Sequence, residues 1–310
     1  MHAALVTSLD AAPTYAVVPD PVAADPDELV VEVLAAALHP LVRSRAAGSH
    51  YTSGGRLPLV PGIDAVVRDD LGHLHYALLD DTELGTMADR TVIERRRSIP
   101  LPDDVDPVRV AAALNPAMSS WVALTHRIEF EPGARVLVTG ATGNSGRMAV
   151  QIAKRFGASE VVAAGRDTAK LAELPALGAD RTITLDRLAE ASEVDVVLDY
   201  LWGEPTATGL VDLLRHRSDR RAPLTWVQIG SVAGASAPIP SAALRSARLQ
   251  LVGSGLGSVG ADEFRAELGR IVDAIVDGAV DVRARAVPLA DVEATWTSSL
   301  GDAERVVFVP

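Results

Sequence analysis

The sequence predicts an α/β protein that combines a doubly wound parallel sheet with a second, mostly β domain. In its central part, short apolar runs alternate with amphipathic helical segments, a pattern typical of a parallel sheet covered by helices. Residues 2–110 instead contain short β-rich runs, such as Leu29 to Leu34 and Ala65 to Arg68, separated by turns rich in Pro, Gly and Asp. Helical patterns are scarce there, so a compact, mostly antiparallel β domain is expected.

The segment from Arg135 to Lys170 indicates a strand, a glycine turn, a helix and a second strand. The β-branched-rich run Val136 to Val138 suits a buried parallel strand, and Gly140, Gly143 and Gly146 follow it at once. The helix after the turn carries an apolar stripe at i, i+3, i+4 and i+7, formed by Ala149, Ile152, Ala153 and Phe156, and Gly157 is expected to end it.

This turn is an A-x-G-x-x-G form of the Rossmann fingerprint, with Ala141 at the first glycine position and Gly140 as an extra hinge. Glycine lets the backbone approach a pyrophosphate, and the amides and dipole at the helix start attract the anion. We therefore expect a phosphate cradle. The residues expected around it are Thr142, Gly143, Asn144 and Gly146. The alternative is a glycine turn that binds no ligand.

The end of the second strand indicates which dinucleotide is bound. An NAD site has a carboxylate there, whereas this chain has Gly165-Arg166, which suits the 2′-phosphate of NADP(H). Asp167 is predicted to cap the next helix, and Lys170 in its first turn favours a nearby anion. In the alternative, Lys170 pairs with Glu173 or Asp167, and Arg166 is an ordinary surface arginine.

Composition limits the classes of partner. The 310 residues are 48% hydrophobic and 4% aromatic, which predicts cores of Ala, Val and Leu, and the net charge of −12 argues against nucleic acid or anionic membrane as partners. The absence of cysteine excludes disulfides, thiolate zinc sites and a cysteine nucleophile. The first ten residues lack a basic start followed by a long apolar core, and no window reaches about 18 apolar residues. We expect a cytoplasmic protein.

The remaining elements complete the predicted sheet. The stretch from Pro100 to Pro107 marks a boundary, after which Pro107 begins a helical segment toward Leu124. Further strands are predicted at Arg181 to Thr184, Val194 to Asp199, Leu224 to Ile229 and Leu249 to Val252, which gives a sheet of about six strands. A helix is predicted from Ala261 to Val276, and the segment from Val282 to Pro310 is again rich in strands.

Several segments together resemble the medium-chain dehydrogenase/reductase superfamily, in its zinc-independent quinone oxidoreductase and enoyl reductase branch. They are Leu29 to Leu34 leading to His39-Pro40, Leu57 to Asp64, Ala141 to Gly146, Leu177 to Asp180, Gly230-Ser231 and Arg305 to Val309. The resemblance implies a GroES-like substrate domain, residues 1–112 and 280–310, that faces a Rossmann domain, residues 113–279, across a cleft. It also implies a homodimer.

The resemblance argues against a catalytic metal. Zinc-dependent members carry a cysteine where His39 stands and a histidine where Ile63 stands, and Ile63 cannot bind a metal. No metal is therefore expected. An improvised site of His39 with Asp64 or His50 is the alternative.

Without a metal, the implied reaction is direct hydride transfer from NADPH to a small electrophilic substrate, a quinone or an α,β-unsaturated carbonyl compound. Such a reaction needs a hydrogen-bond or proton donor near the acceptor oxygen. The candidates are Tyr51, His39 and His50, in loops that the resemblance places at the cleft. For each of them the alternative is a local structural role. The asparagine that usually precedes this proline in the quinone reductases is replaced by His39 here.

On the nicotinamide side, the resemblance points to residues in three other segments, namely Asn115, Ser119, Gly230, Ser231 and Ser254. Asn115-Pro116 could equally be a helix N-cap followed by proline at the first helical position, and the region of Ser254 could be a glycine-rich exit loop. Two other functions stay open at this point. One is reduction of an imine or ketone in a biosynthetic pathway, and the other is NADPH binding without turnover.

Overall fold

The structure, a computed structural model, describes residues 1–49, 53, 56–79, 83–255, 257–298 and 304–310. The chain forms two compact units. Unit 1 contains Met1–Asn115, Leu268–Val276 and Val282–Pro310, and unit 2 contains Pro116–Glu267 and Asp277–Asp281. In the part of the chain that is described, no helix is long and apolar enough to cross a membrane.

The strands are short and divide between the two units. In chain order they are β1 (His2–Leu5), β2 (Thr14–Val17), β3 (Glu28–Ala37), β4 (Asp64–Arg68), β5 (Leu74–Leu78), β6 (Arg90–Glu94), β7 (Ser98–Pro100), β8 (Arg135–Thr139), β9 (Glu160–Gly165), β10 (Arg181–Thr184), β11 (Val196–Asp199), β12 (Leu224–Gln228), β13 (Leu249–Gly253), β14 (Ala284–Pro288) and β15 (Arg305–Val309).

The helices lie mainly in unit 2. They are α1 (Pro40–Ala46), α2 (Pro107–Val122), α3 (Asn144–Arg155), α4 (Thr168–Leu171), α5 (Gly203–His216), α6 (Ser241–Arg245), α7 (Ala261–Val276) and α8 (Val292–Ser298). Short 3₁₀ turns occur at Arg95–Arg97, Leu174–Leu177, Leu185–Ala191 and Leu289–Asp291, and a π-helical turn, Ala123–Arg127, follows α2.

Unit 2 contains a parallel sheet of six described strands in the order β10-β9-β8-β11-β12-β13. This is the doubly wound Rossmann order, in which the direction of winding reverses between β8 and β11. Strands β8, β9 and β11 are almost entirely buried because helices cover both faces, which explains their continuous apolar runs. The predicted sheet is confirmed, although β11 begins at Val196 instead of Val194 and β12 ends at Gln228 instead of Ile229.

Unit 1 is built on a seven-stranded sheet, counted over the described residues, in the order β14-β15-β3-β4-β5-β7, and β6 also pairs with β3. Its pairs are antiparallel except β14 with β15. Strand β15 joins β3 through Val307 opposite Ala37 and Phe308 opposite Ala36. Phe308 is fully buried in the same core as Val31 and Val33. The last segment of the chain thus completes the sheet that the first segment begins.

The interpretation of Asn115-Pro116 as a helix start is wrong, because Pro116 lies inside α2. An interior proline costs a helix roughly 3 kcal/mol. This helix is almost continuously buried from Val110 to Leu114, and Ala117 and Met118 beyond the proline are also buried. Burial of this apolar surface, at about 25 cal/mol per Å², outweighs the loss of one backbone hydrogen bond.

Candidate cofactor-binding site

The phosphate turn, residues 140–146, connects β8 to α3 with little spare space. Gly140 has φ +71°, and the Gly143 amide donates to the Gly140 carbonyl at 3.1 Å. Gly143 is the N-cap of α3, which begins at Asn144. The first backbone amides of a helix have no partner within it, so α3 presents its amides at this turn.

The two glycines of the fingerprint have different roles. A Cβ on Gly146 would lie 2.3 Å from the Gly140 carbonyl oxygen and 2.6 Å from the Ala141 Cα, so α3 packs directly on the turn. A Cβ on Gly143 would meet nothing closer than 3.5 Å. Gly146 is therefore required by packing, whereas Gly143 keeps a backbone surface open.

The side chain of Asn144 presents a hydrogen-bond acceptor at this turn. Its Oδ1 atom is buried and has no hydrogen-bond partner among the described residues. A buried polar atom normally has a partner, which here a bound group or water would supply.

The carboxyl end of β9 lies directly beside the phosphate turn. A Cβ on the buried Gly165 would lie 2.8 Å from the Thr142 Cγ2, so these two predicted residues meet. Arg166 follows and is exposed. Asp167 caps α4 by accepting hydrogen bonds from the amides of Ala169 at 3.0 Å and Lys170 at 3.2 Å, as predicted. The carboxylate next to Arg166 is thus engaged with backbone, while the guanidinium faces solvent.

In the alternative stated from the sequence, Lys170 would pair with Glu173 on the surface. The Glu173 carboxylate lies 3.2 Å from Nη1 of Arg147, a largely buried arginine on α3. Lys170 lies in the first turn of α4, as predicted. Glu173 therefore pairs with Arg147 on the neighbouring helix.

Gln228 connects the predicted residues at the ends of β12 and β13. Its side-chain amide donates to the Gly230 carbonyl at 3.0 Å, and its backbone carbonyl accepts from the Ser254 amide at 2.8 Å. Gly230 packs so closely on Tyr200 that a Cβ would lie 2.6 Å from the Tyr200 carbonyl oxygen. Ser231 is exposed next to it.

Tyr200 also contacts Ser119. The two hydroxyl oxygens are 3.0 Å apart, and the Ser119 hydroxyl donates to the Pro116 carbonyl at 2.9 Å. Burial raises the pKa of Tyr200 to about 12. The sequence reasoning did not select Tyr200, although its place directly after a buried strand was the available signal. Asn115 lies in α2, in the portion assigned to unit 1.

Asp199, at the end of β11, is a second functional candidate that the sequence reasoning missed. Its buried carboxylate accepts hydrogen bonds from five donors in unit 2: the hydroxyls of Thr139 and Thr206 at 2.6 Å each, the Trp226 indole at 3.0 Å, and the amides of Leu201 at 2.9 Å and Trp202 at 3.4 Å. It joins β8, β11, β12 and the start of α5 at the point where the winding of the sheet reverses.

In unit 1, His39 belongs to a buried polar chain. Its Nε2 lies 2.9 Å from Asp64 Oδ1, and Asp64 Oδ2 accepts from the Tyr76 hydroxyl at 2.6 Å. Burial raises the pKa of Tyr76 well above its usual value, and Asp64 adds to this effect. Burial also lowers the pKa of Arg305 to about 10, against the opposing charge of Asp64. His39 is 2% exposed.

The other two predicted proton donors, Tyr51 and His50, lie outside the described residues. Of the improvised metal site considered from the sequence, the described part of unit 1 contains His39 and Asp64, whose side chains are in contact. No group of three or more His, Cys, Asp or Glu side chains suited to a metal occurs among the described residues.

A Rossmann sheet whose glycine turn meets a strand ending in Gly165-Arg166 defines the class of nicotinamide-dinucleotide oxidoreductases. Comparison with known proteins agrees with this class. Residues 146–273 match a family described as zinc-binding dehydrogenase. A probable NADPH-dependent quinone reductase, tdiC, from Emericella nidulans is 28% identical over all of both chains. The NADPH-dependent alkenal/one oxidoreductase of Arabidopsis thaliana is 30% identical over 56% of this chain and 50% of its own.

Solved structures give the same result. The quinone oxidoreductase of Thermus thermophilus, whose structures include a complex with NADPH, superimposes with a TM-score of 0.85 and 26% identity over the whole of both chains. The chain is thus similar to quinone oxidoreductases of the medium-chain dehydrogenase/reductase superfamily.

Proposed function

We propose that this protein transfers a hydride from NADPH to a quinone or an α,β-unsaturated carbonyl compound. The observation that carries the proposal is Arg166 at the carboxyl end of β9, beside a glycine turn whose backbone amides suit a pyrophosphate. The names of the relatives from Emericella nidulans and Arabidopsis thaliana support both the cofactor and the substrate class.

The residues of unit 2 have separate roles in this proposal. The amides of Thr142 and of Asn144 to Gly146 hold the pyrophosphate, Gly143 leaves the backbone open to it, and the side chains of Arg166 and Lys170 bind the 2′-phosphate. The nicotinamide side is formed by Ser119, Gly230, Ser231 and Ser254. When bound, the reduced cofactor supplies the hydride itself. The protein's task is to orient the cofactor and to exclude water from it.

The proton that completes the reduction needs a donor near the acceptor oxygen, and we propose His39, Tyr51 or His50 for this role. His39 is the candidate that the structure describes. Because Nε2 faces Asp64, Nδ1 is the ring nitrogen left for proton exchange.

We propose that the reaction needs no zinc. Quinones and enones require only a hydrogen-bond donor at the oxygen that gains charge, whereas a plain ketone needs stronger polarisation. The chain has no cysteine, and Ile63 stands at the position where zinc-dependent members have a histidine ligand. We expect chelators to leave turnover unchanged, and a stoichiometric metal in elemental analysis would contradict this expectation.

We also propose a cytoplasmic homodimer in which unit 1 is the GroES-like substrate domain and unit 2 is the Rossmann domain. The edge strand β13 supports the dimer because it ends the sheet order and carries the partly exposed Leu251.

The decisive experiment is NADPH consumption by the purified protein against ortho-quinones, para-quinones and 2-alkenals, with NADH in parallel reactions. Consumption with quinones or enones is the expected result. Turnover of an imine or ketone alone, or NADPH binding without any turnover, would overturn the substrate assignment.

A further inference from the structure

Trp202 has a backbone conformation that side chains rarely adopt. Its φ is 55° and its ψ is −165°. Among the described residues it is the only one other than glycine with a positive φ. This region is nearly exclusive to glycine, and a bulky residue there is strained. Strain of this kind persists only where the surrounding structure enforces it and is concentrated at functional sites.

Asp199 enforces this conformation from one side. Its Oδ1 accepts from the amides of Leu201 at 2.9 Å and Trp202 at 3.4 Å, so the carboxylate fixes the turn directly after β11. The carboxylate itself cannot shift easily, because Oδ2 is held by the Thr206 hydroxyl and the Trp226 indole.

The loop after β12 encloses the turn from the other side. The Ala233 amide donates to the Leu201 carbonyl at 2.9 Å, and a Cβ on Gly203 would lie 2.8 Å from the Ala233 carbonyl oxygen. Gly230 packs on the Tyr200 backbone in the same way. The strained residue is therefore held between a buried carboxylate and the segment that carries Gly230 and Ser231.

The strained turn lies where a dinucleotide binds in this fold. Strand β11 is next to β8 at the reversal of the winding order, and ligands bind at the carboxyl ends of the strands there. The residue before Trp202 contacts the phosphate turn, since Leu201 Cδ2 lies 3.2 Å from the position of a Cβ on Gly140. Trp202 itself is half-buried, which leaves part of its indole accessible.

We propose that the indole of Trp202 packs against one of the flat rings of bound NADP(H) and that this contact is the reason a strained tryptophan is kept at this position. A glycine would fit the backbone without strain but would have no ring to offer. The inference rests on the proposed cofactor, and it adds a binding residue that neither the fingerprint nor the resemblance assigns.

Two variants separate the ring from the strain. Trp202→Gly removes both, and Trp202→Ala removes the ring but retains a Cβ. We expect Trp202→Gly to raise the Tm of the cofactor-free protein by about 2–4 °C and Trp202→Ala to give no such rise. Both variants should weaken NADPH binding about tenfold in a direct titration, the usual scale for a lost stacking contact. Trp202→Phe, which keeps a ring, should retain most of the affinity.

Cofactor fragments then locate the contact. Titration with 2′,5′-ADP and with reduced nicotinamide mononucleotide should show weakened binding of one fragment and unchanged binding of the other. NADPH affinity equal to the parent's in Trp202→Ala would overturn the inference. A parent protein that binds NADPH but reduces no quinone or enone would refute the proposed reaction and leave this inference standing. Failure of the parent to bind NADPH would refute both.

Discussion

Arg166 and Asp167 are neighbours in sequence with opposite functions. The carboxylate of Asp167 is used by two amides of α4, which leaves the guanidinium of Arg166 as the charge presented beside the phosphate turn. In the sequence the two opposite charges are adjacent. Helix capping is the physical reason to assign the carboxylate to the backbone of α4 and only the guanidinium to the phosphate.

Replacement of Arg166 by alanine should lower the preference for NADPH over NADH. A hydrogen bond to a charged group contributes about 1.5–3 kcal/mol, so we expect NADPH affinity to fall roughly 10–100-fold while NADH affinity stays within about twofold. Titration of both cofactors measures the effect, and Arg215→Ala, at an exposed arginine on α5, is the control. Equal affinities for the two cofactors in the parent would refute the phosphate assignment.

Asp69, in the turn between β4 and β5, gives a prediction for pH. Partial burial raises its pKa, but hydrogen bonds from His75 and from the amides of His73 and Leu71 outweigh this and lower the pKa to about 2. A carboxyl with a depressed pKa in the folded state stabilises the protein above its unfolded pKa, and the contribution disappears as the pH falls through the folded value.

Asp69→Asn should therefore have a lower Tm than the parent at pH 5–6, with the gap closing as the pH falls from about 4 to about 2. Thermal melts across this range test the expectation. Asp70→Asn, at the exposed neighbouring position, should follow the parent at every pH. A gap that stays constant down to pH 2 would show that another property of the asparagine is responsible.

The buried chain of His39, Asp64 and Tyr76 marks the limit of prediction at this scale. His39 and Asp64 are 25 positions apart, and the charge of Arg305 comes from the last strand. Each residue is ordinary in its own segment. Their contact depends on the pairing of β3, β4, β5 and β15, which no local pattern specifies.

The βα unit from β8 to β9 is the element that the sequence predicted most fully. Strand, turn, helix and second strand all lie where the glycines and the apolar stripe placed them, because each follows from local periodicity. Helix α2 shows the opposite case. Pro116 is a local signal for a helix start, yet burial of the surrounding apolar residues keeps the helix continuous.

The two glycines of the phosphate turn should respond differently to alanine. In Gly146→Ala the new methyl group meets backbone atoms at 2.3 and 2.6 Å, so we expect the Tm to fall by several degrees. In Gly143→Ala the nearest atom is at 3.5 Å, so the Tm should change by less than about 1 °C while NADPH binding weakens at least tenfold. Melts and cofactor titrations of both variants test this. Equal losses of stability would show that both glycines serve packing.

For the whole molecule, the alternation of short apolar strands with helices predicts the six-stranded sheet, since right-handed crossovers leave few other topologies. The five hydrogen bonds that the Asp199 carboxylate accepts could not be predicted in this way. Its donors come from β8, β12 and α5, and an aspartate at a strand end carries no sign of how many partners it will find. The strand order, which follows from chain direction, is thus predictable, and contacts that need several elements to converge are not.

Assembly is the property of the whole molecule that is simplest to measure. If β13 forms the dimer contact, light scattering should give about twice the 32.5 kDa chain mass. Leu251→Lys should shift the protein toward monomer, because charges on an edge strand oppose pairing. Val232→Lys, at an exposed valine outside the strand, should leave the mass unchanged. A monomeric parent would refute the dimer.

The pairing of β15 with β3 determines the order in which parts of the chain can fold during synthesis. All the strands of the unit 2 sheet, residues 135–253, leave the ribosome before Arg305–Val309 are made. Unit 1, whose first strands are made early, therefore lacks its last strand until the end, and the Ala36 and Ala37 end of β3 is without its β15 partner until then. Nascent domains usually fold from the N-terminus onward. Here the later unit can fold first, and the waiting edge is the segment that a chaperone would need to shield.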